Sequence, residues 1–266
     1  HIRISLAYVI MIILIWIPMA RRKSLAFLDV GQGDCFVADT KSGAIIFDGG
    51  SSSEDQVGRY RILPYMKYLG YQKIQIAVIS HMDIDHYSGI KELLEMGKIK
   101  YLGLPEIPKD ETMKKIIGIA KKRGTTIFYL SRGRQITTKD GSLKVLHPQK
   151  NSQMEKNAAS LVMQGKILGY RVLLTGDVEK EGEEELLLEE LERADILKAA
   201  HHGSKNSTSN EFLQKVQPKQ TVISCGKQNR YGHPHLETIH RLQTYRTKIY
   251  RTDRSGAIIF FKRRDG

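Results

Sequence analysis

Four ligand-type side chains fall within six residues of the stretch SHMDIDHYSG: His81, Asp83, Asp85 and His86. Imidazole nitrogen and carboxylate oxygen are both ordinary ligands for zinc, manganese or iron. The cluster follows the apolar run IQIAVIS (74–80), which reads as a strand buried on both faces. Strand ends hold ligands convergently, because the sheet fixes their roots. Three further clusters share this placement. AIIFDGG ends in Asp48, Gly49 and Gly50, RVLLTGD ends in Asp177, and ADILKAAHHGS ends in His201, His202, Gly203 and Ser204. A lone aspartate after a strand is ordinarily a cap or turn residue. The repetition is what points to one convergent site. A carboxylate such as Asp177 can bridge two metals roughly 3.5–4 Å apart, the spacing of two-metal hydrolytic sites.

The elements that position these clusters are legible from apolar periodicity. Strand-like runs fall at 24–30, 35–40 and 44–50, followed by a helix at 61–70, the strand 74–80 and a helix at 88–97 capped by Ser88. A βα rhythm follows at 99–104, 111–124 and 125–130. The middle is strand-rich, at 134–138, 143–146, 160–166 and 170–175. An acidic helix at 179–192, with a solvated face over a leucine stripe, leads to strand 194–200. Helix 208–216, strand 220–225, helix 235–245 and strands 248–251 and 257–262 complete the chain. This mixture predicts two sheets packed together with helices outside. The turn Gly31-Gln32-Gly33-Asp34 is a hairpin rather than a phosphate loop, since no helix follows it. Asp34 is then placed to face the metal edge.

Composition bounds the partners. Lys and Arg outnumber Asp and Glu by 42 to 29, a formal charge of +13. That balance suits polyanions such as nucleic acid, anionic lipid or wall polymers, and equally a Lys-rich surface with no dedicated partner. Cys35 and Cys225 lack Cys-x-x-Cys spacing, which argues against a thiol redox pair or a cysteine metal site. Residues 4–20 carry no charge and are followed by Arg21, Arg22 and Lys23. Seventeen apolar residues are at the short end of a bilayer span, and Trp16 lies near one end, as an interfacial aromatic does. The expected organisation is a transmembrane segment at 1–23, with a signal peptide as its rival, and one domain at 24–266.

Taken in order, LDVGQGD (28–34), FDGG (47–50), SHMDIDHYSG (80–89), NAASLV (157–162), LLTGD (173–177), HHGS (201–204) and RYGHP (230–234) resemble the metallo-β-lactamase-fold hydrolases. Their signature is H-x-H-x-D-H after a strand, then an aspartate in T-G-D, then a late histidine. Within that superfamily residues 24–266 resemble the C-terminal domain of ComEC-type DNA-uptake (competence) proteins. The resemblance implies an α/β (α+β) fold, a four-layered αββα sandwich with a metal site along one edge, preceded by a short transmembrane segment. It also implies hydrolysis of a phosphodiester in DNA.

Carried over by position, His81 and Asp83 would hold one metal, and Asp85 and His86 the second, with Asp177 bridging. One of His201 and His202, with His202 preferred, would complete the second site. The superfamily places another histidine between the first two motifs. Here that interval holds only His147, which reads equally as a turn residue beside Pro148, while Asn157 and Ser160 lie nearer the expected place. The first site is thus short of a ligand, and one tight and one loose metal would result. Asp83 puts a harder oxygen where relatives outside the DNA-uptake family have nitrogen, which shifts preference from zinc towards manganese or magnesium. The expected cofactors are two divalent ions, manganese or zinc, with magnesium as a further option.

Catalysis would fall to Asp85, with His201, Lys205 or His233 donating to phosphoryl oxygens or to the leaving group. Asp34, Asp48, Asn157, Ser160, Ser204 and Asn229 would bind substrate or support the ligands. The basic candidates for nucleic acid are 114–124, Lys205, Arg230, Arg241, Arg246 and 262–266, with Tyr129 and Tyr231 able to stack on bases. None forms a recognised DNA-reading module, so the expected partner is single-stranded DNA held through its backbone, with the membrane and the channel portion of an uptake machine as further partners. Two alternatives stay open: a hydrolase of the same fold acting on a small or cell-wall phosphoester, and a non-catalytic domain that binds DNA or the channel. The basic triplet favours the cytoplasmic side. The resemblance implies the outer face of the cell membrane, which is the expectation taken here.

Overall fold

The computed structural model describes Tyr8 and residues 22–154 and 157–263. The short apolar runs pair into two seven-stranded sheets. In the first, β1 (Ser24–Phe27), β2 (Phe36–Thr40) and β3 (Gly43–Phe47) form an antiparallel meander. β4 (Ile74–Val78), β5 (Ile99–Pro105) and β6 (Thr126–Leu130) then add in parallel. The crossovers carry α1 (Leu63–Tyr68), α2 (Ile84–Glu95) and α3 (Glu111–Lys122), and β14 (Ile258–Phe261) closes the other edge. The second sheet repeats the plan. β7 (Gln135–Thr138), β8 (Gly141–His147), β9 (Val162–Ile167) and β10 (Tyr170–Leu174) run antiparallel. β11 (Ile196–Lys198), β12 (Gln220–Ile223) and β13 (Lys248–Arg251) follow in parallel. Their helices are α4 (Lys180–Leu187), α5 (Asn210–Val216), α6 (Leu236–Thr244) and the single turn α7 (Thr252–Ser255).

Both sheets are apolar on both faces, so three cores stack in sequence. Phe27, Phe36 and Phe47 meet Met163, Val172 and Leu174 between the sheets. Ile46, Leu102 and Leu94 pack under α2 and α3, and Leu197, Phe212 and Leu242 under α5 and α6. Each fully buried side chain of this size contributes roughly 1.5–3 kcal/mol. The result is the expected helix–sheet–sheet–helix sandwich. The expected membrane segment lies outside the described residues apart from Tyr8, Arg22 and Lys23. Among the described residues, no helix is long and apolar enough to cross a membrane.

Strand direction creates two poles. The parallel strands of both sheets end at one pole, where the motif clusters lie, and begin at the other. Bonds across the sheets tie the starting pole: Lys41 N donates to Asp140 Oδ2 at 2.5 Å, and Arg263 N to Leu168 O at 3.2 Å.

Two boundaries differ from the sequence expectation. The helix after the first motif starts at Ile84 with Asp83 at its cap, not at Ser88. Ser88 lies inside it, and its hydroxyl instead accepts the Ser51 amide at 2.9 Å. The acidic helix stops at Leu187 rather than 192. Gln164 of β9 pairs with both backbone groups of Glu192, at 2.7 and 3.1 Å, and draws the chain off the helical path.

Candidate metal centre

Three loops interlock before any side chain is placed. Asp34 N donates to Asp85 O, Gly50 N to Asp34 O, and Gly49 N to His86 O, all at 2.8–3.1 Å. Glycine is required at this junction. A Cβ on Gly50 would meet backbone atoms of Ile84, Asp85 and His86 at 2.6 Å, and one on Gly33 would meet Gly50 O at 2.3 Å. The first turn of α2, with Asp85 and His86, is thereby pressed onto the ends of β1 and β3.

From the second sheet come Asp177, after β10, and the turn Ala200–Gly203, after β11. His201 (φ 47°) and His202 (φ 53°) are consecutive non-glycine residues in the left-handed region, and Asp48 (φ 56°) is another. Each such residue costs of order 1–3 kcal/mol and persists where its surroundings over-determine it. Buried Glu183 of α4 helps to do so, accepting the amides of Thr208 and Ser209 just beyond the turn.

The three buried histidines of the cluster share one arrangement. His81 Nδ1 is 3.0 Å from Ser80 Oγ, His86 Nδ1 2.9 Å from Asp48 Oδ2, and His202 Nδ1 2.9 Å from Ser224 O. In each the Nε2 has no hydrogen-bond partner, and neither has buried Asp177 Oδ1. With Nδ1–H donated outward, Nε2 turns a lone pair inward. For His86 and His202 that lone pair faces Asp177 Oδ2, at 3.1 and 3.3 Å. For His202 it also faces Asp85 Oδ2, at 3.4 Å. A lone pair against a carboxylate needs a cation between them, and histidine with its outer nitrogen tied to a carboxylate or carbonyl is the usual metal-ligand arrangement. The residues fit a divalent cation. Donor atoms lie within 4.8 Å of one another in the groups His81–His86–Asp177, Asp85–His86–His202, Asp34–Asp48–His86 and Asp34–Asp177–His202.

Electrostatics agree. Burial pushes His86 and His202 down, but Asp177, with Asp48 or Asp34, outweighs it and holds both well above the usual histidine range. Burial raises Asp34, yet Lys198, His202 and His86 bring it to about 2. Asp177 is held well below the carboxylate range by His202 and His86 against the same burial. Without a metal, protons occupy the positions a cation would take.

The other sequence candidates sort by place. Asp83 occupies the N-cap position of α2 without a side-chain capping bond, its Oδ2 lies 3.7 Å from His81 Nε2, and it belongs to none of the four donor groups. Ser160 Oγ accepts the Asp177 amide at 3.3 Å. Ser204 N donates to His201 O at 2.8 Å and closes the histidine turn. Asn229 bonds both N and O of His233, at 2.9 and 2.6 Å, and so holds the loop carrying Tyr231. Asn157, Asp85, His201, His233 and Tyr231 line an open pocket of about 530 Å³ over the cluster. Lys205 lines a neighbouring cavity of about 480 Å³ with Lys180 and Arg241 instead. His147 faces away, with Nε2 on Ala158 O at 2.7 Å and Nδ1 3.3 Å from Glu185.

Two groups at the site were not singled out from sequence. Lys198 is buried, in contact with Asp34 and 3.7 Å from Asp177 Oδ1. Its signal was available: a lysine within an apolar strand must find a counter-charge. Glu179 meets His201 Nδ1 at 2.8 Å, and nothing in its local sequence marks it.

The family described as the metallo-beta-lactamase superfamily matches residues 28–227. The chain is 35% identical over 278 residues to ComE operon protein 3 of Bacillus subtilis (strain 168), covering 97% of this chain and 35% of that protein. It is 30% identical over 248 residues to competence protein ComA of Neisseria gonorrhoeae, covering 90% and 32%. The chain thus spans about a third of the length of these curated relatives. Among solved structures, the metallo-beta-lactamase fold protein YhfI from Bacillus subtilis superposes with a TM-score of 0.58 at 12% identity, covering 89% of this chain and 99% of that one. At that identity the likeness speaks to the fold alone.

Proposed function

We propose that this chain, which belongs to the metallo-β-lactamase superfamily, is a metal-dependent phosphodiester hydrolase acting on DNA during competence-related uptake at the membrane. The observation that carries the metal-dependent reading is the ring of unpartnered donors, His81, His86 and His202 Nε2 with Asp177 Oδ1, beneath an open pocket. Asp85, His86 and His202, and His81 and Asp83, together with Asp177, would hold two divalent ions. Such ions supply Lewis acidity, lowering the pKa of water towards ~7 and offsetting charge on phosphoryl oxygens. Manganese or zinc is the reading for the metal, with magnesium also accepted.

The chain's own groups supply orientation and protons. Asp48 and Ser224 fix the His86 and His202 rings through Nδ1. Burial, then the neighbouring histidines, push His233 down to about 4, so it is neutral at physiological pH and can accept or donate a hydrogen bond at the pocket wall. His201, steadied by Glu179, stands across from it, with ring centres 5.5 Å apart. Tyr231 is 42% exposed, stacks on His233 at 5.6 Å and lies under Arg230 at 4.8 Å. That lip offers a π face and a cation to a base and its phosphate. Sequence-independent binding of single-stranded DNA through the backbone follows, weakened by salt. We take the domain to face outward from the cell membrane, beside the channel of the uptake machine.

The test is release of nucleotides from single-stranded DNA by the purified chain with manganese, zinc or magnesium, against a chromogenic phosphodiester and a wall polymer. Cleavage of DNA alone is expected. Full metal content with no DNA cleavage under any of the three ions would overturn the nuclease reading, and turnover of wall polymer would replace it.

A further inference from the structure

We propose that the pole opposite the metal centre docks onto an anionic lipid surface. Strand direction places an unusual set of residues there. The parallel strands begin at this pole, and the β2–β3, β7–β8 and β9–β10 turns close there. Cations mark these points: Lys41 and Lys139 in turns, Lys166 beside a third, Lys73 and Arg123 ahead of β4 and β6, and Lys248 opening β13. All six are exposed, and none forms an ion pair among the described residues. Three carboxylates set among these turns have buried side chains paired inward, Asp39 with Lys23 at 2.7 Å, Asp140 with Lys262 at 3.2 Å, and Asp195 with Lys219 at 2.9 Å, while the exposed Glu95, Glu190 and Glu192 lie at the ends of the flanking helices. The outward-facing charge of the turns between strands is therefore positive.

Two observations favour lipid over nucleic acid as the occupant. The chain enters the domain at this pole through Arg22 and Lys23, and residues 4–20 ahead of them carry no charge. Beside the entry, Phe261 is 48% exposed under the Arg22 guanidinium at 5.3 Å, and Arg263 lies over Tyr170 at 4.2 Å. Cations interleaved with aromatic rings match a headgroup layer. In addition, a five-residue strand spans about 17 Å. A phosphate group held here would be at least that far from the pocket and outside its direct reach. Docking by this pole would aim the pocket away from the bilayer. None of this rests on the hydrolase reading.

The full chain in nanodiscs gives the test, with lysine acetylation read by mass spectrometry. Discs of neutral phosphatidylcholine are compared with discs containing phosphatidylglycerol, so any contribution of residues 4–20 is common to both. In the anionic discs Lys41, Lys139 and Lys166 should react about threefold more slowly or less, with recovery at high salt. Lys205 and Lys227, on the other pole, should not change. A triple variant, Lys41→Glu, Lys139→Glu and Lys166→Glu, should lose the protection of Lys73 and Lys248 while keeping its metal content. Equal labelling in both discs would overturn the proposal. Protection by a single-stranded oligonucleotide but not by anionic lipid would reassign the pole to nucleic acid.

Discussion

At the pole where the parallel strands end, four aspartates and three histidine rings are packed into mutual contact: Asp34, Asp48, Asp85 and Asp177 with His81, His86 and His202. At the pole where the same strands begin, lysines and arginines stand singly in turns, facing water. Both poles are rich in charge, but burial separates their physics. Buried charges interact through a low effective dielectric, shift one another's protonation, and are costly to leave unpaired. Exposed charges are screened, each is worth little alone, and they act through their sum. Backbone in the left-handed region occurs at both poles, in Leu168, Gln217 and Arg246 at the second, but only at the first does it fall on residues of the buried cluster, Asp48 and His202, with His201 beside them. Single substitutions should therefore be severe at one pole and nearly silent at the other.

The largest effect should come from Asp177→Ala. It removes the carboxylate that faces the Nε2 atoms of both His86 and His202, at 3.1 and 3.3 Å. Hydrolysis should fall by more than about 100-fold, beyond the range typical of outer partners of a metal site, with bound metal lost. Wild-type turnover in a folded variant would dismantle the site assignment. Next comes Asp48→Asn. The amide can still accept the Ser80 N–H, 2.7 Å away, but no longer offers His86 Nδ1 a charge. Metal affinity, read by competition with a chelator, should drop about 10–100-fold. An unchanged affinity would reduce Asp48 to a fold residue.

Gly50→Ala should act through packing. Its methyl group would press on the backbone of Ile84–His86, which cannot retreat without moving Asp85 and His86. A loss of roughly 1–3 kcal/mol in denaturant titration is expected, with weaker metal binding alongside. A stable variant with altered metal affinity would be the more telling result, because it would separate positioning from folding. Asp83→His should do less. Asp83 stands at the pocket rim, 3.7 Å from His81 and 36% exposed. The ratio of zinc to manganese affinity should rise about tenfold, ~1.4 kcal/mol. An unmoved ratio would mean that this aspartate occupies the N-cap position of α2 and does not tune the metal.

How much of this was legible in advance depended on whether a residue's role is local. The apolar runs place each cluster at a strand end, and the strands fall where the periodicity puts them. Asp48, His81, Asp177 and His202 could be flagged because a strand end followed by a ligand is a local pattern. Partners that cross between elements could not be read in this way. Nothing near Glu179 says that it will meet His201, and nothing near Gln164 says that it will end α4 by binding Glu192. The start of α2 was misplaced for a related reason. Ser88 looks like a cap, but tertiary contact gives its hydroxyl to the Ser51 amide, and Asp83 takes the cap position. Lys198 is the intermediate case. Its burial was inferable from the strand around it, but its partners Asp34 and Asp177 were not.

The smallest effect belongs to the basic pole, and its smallness is the point. Lys139→Ala removes an exposed side chain whose backbone amide alone is structural, donating to Ser42 Oγ at 3.0 Å. The turn keeps that bond in the variant, and no buried group loses a partner. Stability should change by less than about 0.5 kcal/mol, and hydrolysis of a soluble phosphodiester should be unaffected. The same holds for Lys166→Ala, whose side chain is likewise exposed. If either change slowed hydrolysis several-fold, the poles would be coupled through the sheets, and the separation between buried and screened charge would not describe this molecule. Silence in the soluble assay is what a surface acting only through its summed charge requires.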